Sequence, residues 1–270
     1  MEVISRSYYA EKIDSWLGSG QIIVLIGQRR VGKSYVMKDF IARHAKESEA
    51  NIIYIDKEKR SFRFIHDCDE LDAYIDARLL PDKHNYILID EVQDIVGWEK
   101  SVRSYRTEDN VDIIITGSNS KMLSGELGTL LGGRYEQILV QSLTYTEFLQ
   151  FHRLADNDDS LWKYLNYGGL PGLMAIVIDD EDKVWDYLSG IYNTVMLKDV
   201  IERHNIRNIP FLHNLISFMA DTTGKLNSAS SIAKFMKSQG VDISATPMLR
   251  SANYEGITHI HLRKFLSEGF

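Results

Sequence analysis

The sequence has a single cysteine, Cys68, among 270 residues, so no intramolecular disulfide can brace the fold. Long apolar runs are missing too: the longest aliphatic stretch, IIVLI at 22–26, falls far short of the about 20 residues that cross a bilayer as a helix. The opening MEVISRSYYAEK lacks the apolar core of a secretory signal, and together these absences lead to the expectation of a soluble, cytoplasmic chain with no membrane contact. No repeat, low-complexity tract or Ser/Gly linker stands out, so the parts of the chain are expected to pack closely. Positive charge is scarce: a formal net charge of −7 excludes a surface that is one continuous nucleic-acid footprint. Residues 225–270 depart from this, with Lys225, Lys234, Lys237, Arg250, Arg263 and Lys264 against Asp242, Glu255 and Glu268. That end is either a module with its own partner or ordinary scatter. His259 and His261 alternate in ITHIHL without a third ligand nearby and read as unmetallated surface. Cys68 lies between Asp67 and Asp69, an unfavourable setting for a thiolate nucleophile, and no Ser-His-Asp order can be argued.

What the chain does have is globular: 44% hydrophobic and 26% charged residues, enough for one large domain or two smaller ones. Five β-rich runs recur at 21–26, 51–56, 86–90, 112–116 and 136–140. The first four are nearly continuously apolar, as strands covered on both faces are, which favours a parallel sheet. Between them, residues 33–47 and 69–80 keep helical spacing through Val36, Phe40 and Ile41, and through Leu71, Ile75 and Leu79. Alternating strands and helices predict a three-layer α/β domain ending near residue 142. Beyond it helical patterns dominate, in TEFLQFHRL, in DSLWKYLNY and from Asp182 to His204, with breaks at Gly168, Gly169, Pro171, Gly172 and Pro210. Tyr8, Tyr9 and Trp16 precede the first strand at helical spacing, better suited to core packing than to lining a base pocket.

The chemistry concentrates after the first strand. Gly27-Gln28-Arg29-Arg30-Val31-Gly32-Lys33-Ser34, followed by Tyr35, fits G-x-x-x-x-G-K-[ST] at every fixed position, between a strand and a helix. Glycines there let backbone amides form a concave nest at a helix N-terminus, where the amides and the helix dipole hold phosphate. Lys33 is expected to reach the β- and γ-phosphates of ATP and Ser34 to ligate Mg²⁺. A hard cation needs further oxygen, which Asp90 supplies at the end of YILID, with Glu91 beside it to polarise an attacking water. The polar tip of IIITGSN offers Ser118 or Asn119 as a sensor of the γ-phosphate, if that strand lies between the other two; both residue types also cap helices. Arg134, after Gly132 and Gly133, is the candidate transition-state arginine, acting in the same chain or on a neighbour. Arg29 and Arg30 read as structural, paired with acidic neighbours such as Glu58 or Asp94.

GQRRVGKS, YILIDEVQ, TGSNSKMLSGELGTLLGGRY, SLTYTEFLQF, YLNYGGLPG and LKDVIERHNI, in this order, resemble a family of prokaryotic AAA-type P-loop ATPases with a C-terminal domain of unknown function. The resemblance runs from about Arg6 to about Ser244. It implies an α/β P-loop NTPase sandwich with a mainly parallel five-stranded sheet over 1–142, an extra strand lying between the phosphate-loop strand and the acidic strand. It also implies a helical lid-like domain over 143–207 and a winged-helix-like segment over 208–270. Roles carry over for Gly27, Gly32, Lys33, Ser34, Asp90, Glu91 and Arg134. In the last segment LNSASSIAKFMKSQG reads as turn, helix and glycine stop, but ATPMLRSANYEGITHIHLRKFLSEGF departs from the family's helical pattern. A protein partner is therefore expected ahead of DNA through this segment. Two other readings stand beside a MgATP hydrolase: a small-molecule P-loop kinase, disfavoured by the Asp-Glu pair and the lack of an arginine-rich lid, and a nucleotide-dependent binding module without turnover.

Overall fold

The computed structural model describes residues 4–45, 50–117, 126–195, 201, 209–223 and 228–238. Five strands, β1 (Ile22–Ile26), β2 (Ala50–Asp56), β3 (His84–Asp90), β4 (Val111–Thr116) and β5 (Tyr135–Leu139), form one sheet in the order β2-β3-β4-β1-β5, with every pair parallel. The expected strands are all present, and β4 does lie between the strand before the glycine-rich loop and the acidic strand β3.

The strands are continuously apolar because both faces are covered. Side chains alternate, so Ile22, Val24 and Ile26 of β1 join one apolar cluster and Ile23 and Leu25 the other. On one face lie α1 (Ser7–Asp14) and α2 (Lys33–His44), contributing Tyr9, Ile13, Val36, Met37 and Phe40. On the other lie α3 (Cys68–Asp76) and α4 (Trp98–Tyr105), contributing Leu71, Ile75, Trp98 and Val102. Each fully buried aliphatic or aromatic side chain stabilises the fold by about 1.5–3 kcal/mol relative to exposure. Phe40, with no exposure, stacks on His44 at 4.2 Å and meets Tyr86 edge-on at 5.1 Å. Tyr9 is in this core, as expected, whereas Tyr8 is 63% exposed.

Asp112 looks out of place at the start of an apolar strand, and the structure supplies its reason. Its carboxylate accepts the Gly18 amide at 3.0 Å on both oxygens and contacts His84 Nε2 at 2.8 Å, tying the turn before β1 to the lower end of the sheet. A buried carboxylate is tolerable only with such partners.

A short helix, α5 (Glu126–Leu130), leads to β5. After β5 come α6 (Tyr145–His152), α7 (Asp158–Tyr167) and α8 (Glu181–Thr194). Thr144 and Glu147 start α6 with a reciprocal capping box, and Asn157 caps α7 through the Ser160 amide. Of these, α6 and α7 lie within the first compact unit. The first compact unit runs Met1–Val184 and the second Trp185–Phe270. Leu143 N–H donates to Gly169 O at 2.7 Å and Tyr164 OH donates to Leu143 O at 3.0 Å, which locks the connector after β5 under the turn that follows α7. In the second unit, α9 (Ile209–Asp221) and α10 (Ala229–Ser238) meet through Phe218 and Phe235, ring centroids 4.6 Å apart. Ser228 and Ser231 cap α10 by exchanging amide-to-hydroxyl bonds. The expected helix in LNSASSIAKFMKSQG is thus present, while the rest of the winged-helix expectation, with His259 and His261, lies outside the described residues. No helix among the described residues is long and apolar enough to cross a membrane.

Candidate functional site

In a parallel sheet all strands end at the same edge, so the residues after Ile26, Asp90 and Thr116 are brought together by topology alone. The loop after β1 runs from Gly27 to Gly32, and α2 begins at Lys33. Gly27 has φ 144°, and a Cβ built on it would stand 2.2 Å from Val140 O, so only glycine fits where the loop passes β5. Gly32, the N-cap of α2, has φ 99°. Gln28, Arg29 and Arg30 project from the loop and are exposed; Val31 is buried beneath it. Tyr35 is half-exposed on the first turn of α2, its ring 4.8 Å from Lys38 Nζ.

Lys33 is 5% exposed, and its Nζ donates to Gly27 O at 3.0 Å and Gln28 O at 2.9 Å, which holds the ammonium over the loop. Burial pushes its pKa down, while the carboxylates of Glu91 and Asp90 work in the opposite direction. Those carboxylates are the expected acidic pair. Asp90 is 2% exposed at the end of β3 and accepts from Thr116 Oγ1; Tyr54 OH donates to its other oxygen at 3.3 Å, and the Ser34 hydroxyl is near enough to favour its charged form. Burial raises its pKa, the bonds from Thr116 and Ser34 oppose this, and the nearby carboxylates of Asp56 and Glu91 raise it further. Glu91 takes left-handed backbone angles, φ 56° and ψ 54°, an uncommon conformation for a residue with a side chain. Its amide donates to Thr116 Oγ1 at 2.9 Å, and its carboxylate accepts from Gln93 Nε2.

The donor set suits a small hard cation. Ser34 and Asp90 offer one hydroxyl and one carboxylate, the first from the opening turn of α2 and the second from the end of β3. Mg²⁺ in nucleotide sites takes one or two such side-chain oxygens and completes its shell with phosphate and water. Among the described residues no group of three or more His, Cys, Asp or Glu side chains is placed to hold a metal without such help.

Burial raises the pKa of both Glu58 and Asp94 and the Glu91 carboxylate adds to it, while the Arg29 guanidinium opposes the shift in each. Arg30 has φ 68° and belongs to the loop's turn. Ser118 and Asn119 lie outside the described residues. Arg134 is not brought to the cradle within this chain. Its carbonyl accepts the Ile22 amide at 3.2 Å, so it stands beside the first residue of β1, and the loop lies beyond the last. Five residues of strand separate them by about 16 Å, more than an arginine side chain spans. The same-chain form of the arginine expectation is corrected by this: parallel pairing of β1 with β5 aligns their starts, and Arg134 precedes the start.

Thr116, Tyr54 and Asp56 join the site without having been singled out by motif. Thr116, fully buried, is the common partner of Asp90 and the Glu91 amide. Tyr54 OH donates to Asp56 at 3.3 Å as well as to Asp90, and β2 and β3 pair so that Asp56 lies opposite Asp90. Two apolar runs that both end in Asp, NIIYID and YILID, were the available signal.

Residues 19–149 match the AAA domain family AAA_14, and residues 158–249 match the domain of unknown function DUF8612. An uncharacterized protein of Haemophilus influenzae is 34% identical over 250 residues, covering 90% of this chain and 62% of that one. The uncharacterized protein MJ1544 of Methanocaldococcus jannaschii is 32% identical over 235 residues, covering 83% and 52%. The chain therefore spans between about half and three fifths of the length of these curated relatives. Among solved structures, Cdc6p from Pyrobaculum aerophilum is similar at 12% identity and TM-score 0.45, covering 95% of this chain and 87% of that one. AMPPCP-bound DnaA from Aquifex aeolicus is similar at 12% identity and TM-score 0.43, covering 83% and 72%. At those scores neither carries an argument about this site.

Proposed function

Since the chain belongs to the AAA-type P-loop proteins in which a DUF8612 domain follows the AAA domain, we propose that it binds MgATP, hydrolyses it to ADP and phosphate, and passes the nucleotide state to a protein partner. The observation that supports this best is the buried Asp90 held by Thr116 at the strand edge from which the loop closed by Lys33 springs. In this reading the amides of the loop and the first turn of α2 bind the β- and γ-phosphates, with Lys33 opposing their charge. Ser34 and Asp90 hold Mg²⁺, whose chemistry when bound is to neutralise charge on the phosphate oxygens. Glu91 orients a water and takes its proton. Arg29 and Arg30 flank the loop without a chemical role, and Ser118 and Asn119 remain the proposed sensors of the γ-phosphate. A cytoplasmic location goes with this reading. DNA is a secondary candidate partner, resting on the basic end of the sequence.

The direct test is phosphate release from ATP by the purified protein with Mg²⁺ and no added acceptor. Turnover that disappears with EDTA supports a hydrolase; phosphate transfer only when a small-molecule acceptor is supplied would replace it with a kinase.

Thr116 provides a second, sharper check. Its hydroxyl donates to Asp90 and accepts from the Glu91 amide, so valine at this position leaves a buried carboxylate short of a partner, a cost of about 1–3 kcal/mol, and frees the half-buried N–H that anchors residue 91. Thr116→Val is expected to raise the Mg²⁺ concentration needed for half-maximal turnover and to lower the maximal rate, with nucleotide affinity in EDTA unchanged. Thr116→Ser keeps the hydroxyl and is expected to retain the normal Mg²⁺ dependence. A Mg²⁺ titration of phosphate release in which valine behaves like serine would remove Thr116 from the site.

A further inference from the structure

Arg6, ahead of the first helix, belongs to no motif, yet it makes five hydrogen bonds within the first unit. Nε and Nη2 grip the two oxygens of Glu147 at 2.7 and 2.9 Å. Nη1 donates to Val31 O at 3.3 Å and Gln141 O at 2.9 Å, and Nη2 donates also to Ser142 O at 3.3 Å. Five N–H donors are all that a guanidinium has. The side chain is buried, its Cζ 4.5 Å from the centroid of the Tyr9 ring, and Tyr9 OH accepts the Gln141 amide at 3.0 Å. Glu147 also closes the capping box of α6, accepting the Thr144 amide at 2.8 Å. Burial pushes the Glu147 carboxyl up, but the bonds from Arg6 and Thr144 outweigh it and hold the group below the ordinary carboxylate range. One guanidinium thus joins the phosphate loop, the connector after β5 and the first turn of α6.

The peptide group that Arg6 holds in the loop is the informative one. No described peptide bond is cis. In a planar trans peptide the C=O of Val31 and the N–H of Gly32 point in opposite directions. A Val31 carbonyl drawn toward Arg6 therefore aims the Gly32 amide away from it. Gly32 is the N-cap of α2, where the first amides have no carbonyl partners within the helix and are the natural donors to an anion.

We propose that Arg6 is a positioning residue for the nucleotide: by holding the Val31 carbonyl it sets the direction of the Gly32 amide, and through Glu147 it makes that setting depend on the seating of α6. The proposal rests on the reading of the loop as an ATP site. Coupling of this kind is reciprocal, so bound nucleotide must in turn stabilise the seating of α6.

The test compares the full chain with Arg6→Lys and Glu147→Gln, at a temperature where circular dichroism shows all three folded. Two quantities are read: affinity for ATP carrying a fluorescent ribose label, and hydrogen exchange over residues 141–152 with and without ATP. Lysine keeps the charge but cannot make five bonds. Glutamine keeps the shape of Glu147 and removes only the ionic fork, so it serves where Arg6→Lys fails to fold. Both variants are expected to bind labelled ATP about tenfold more weakly, equivalent to about 1.4 kcal/mol. ATP is expected to slow exchange over 141–152 in the parent chain and not in Glu147→Gln. Affinity equal to the parent's in the folded variants, or the same ATP-dependent protection in Glu147→Gln, overturns the proposal; a merely structural Arg6 gives that result with a lowered melting temperature. A parent chain that does not bind labelled ATP overturns the ATP reading itself, and this proposal with it.

Discussion

Glu91→Gln is expected to bind ATP with the parent's affinity and to release phosphate about 10²–10⁴-fold more slowly, the usual contribution of a general base. Glutamine fills the same volume, and the amide that anchors residue 91 to Thr116 is backbone, so the left-handed turn after β3 survives the change. What is lost is the capacity to accept a proton. The Glu91 carboxylate also helps keep the buried Lys33 ammonium charged, and Asp90 continues to do so in the variant. Binding and turnover should therefore separate cleanly when labelled-nucleotide titration is set beside a phosphate-release assay. Undiminished turnover in Glu91→Gln would assign the base elsewhere. The same variant, loaded with ATP, is the means of capturing the partner: protein alone on the trapped complex would end the case for DNA.

Gly27→Ala is expected to cost both stability and nucleotide binding. The added Cβ would stand 2.2 Å from Val140 O and 3.3 Å from Val31 Cγ2, with φ at 144°. The first obstacle is backbone, and it cannot step aside without disturbing the bond from the Val140 amide to Ile26 O at 2.7 Å. A clash plus backbone strain of this kind costs about 3 kcal/mol or more. In a unit of this size that lowers the melting temperature by about 6–12 °C. Nucleotide binding should be lost as well, because the loop that must move is the cradle. Gly18→Ala is the control: φ is 69° there too, but nothing lies within 4 Å of the added Cβ. Equal melting temperatures for the two variants would mean that the approach of the loop to β5 is not a constraint.

The parts of this molecule that were legible in the sequence are those where one short segment carries its whole reason. The apolar runs of β1, β3 and β4 announce burial on both faces, and the glycine-rich loop announces a nest, because each property belongs to consecutive residues. Asp90 was legible for the same reason, as the polar end of an apolar strand. Thr116 was not: a threonine ending a strand is common, and its meaning comes from β4 lying beside β3. Arg6 was less visible still, since its partners lie 25, 135, 136 and 141 residues away and three of them are backbone carbonyls, which have no signature. The boundary expected at residue 142 marks a change from strand to helix. Contacts continue across it, through the Arg6 to Glu147 fork and Pro171, whose Cγ lies 3.6 Å from the place a Cβ on Gly32 would take. Secondary structure can change type without the core ending.

The position of Arg134 has a kinetic meaning. A side chain anchored at the far end of β5 can reach a triphosphate only where one molecule's sheet bottom faces another molecule's loop. If it supplies charge to the reaction, rate per molecule is not a constant of the protein but climbs as solutions become more concentrated and fades on dilution. Mixing Arg134→Ala molecules with Glu91→Gln molecules would then restore part of the turnover that each lacks, since every mixed pair contains one intact half from each.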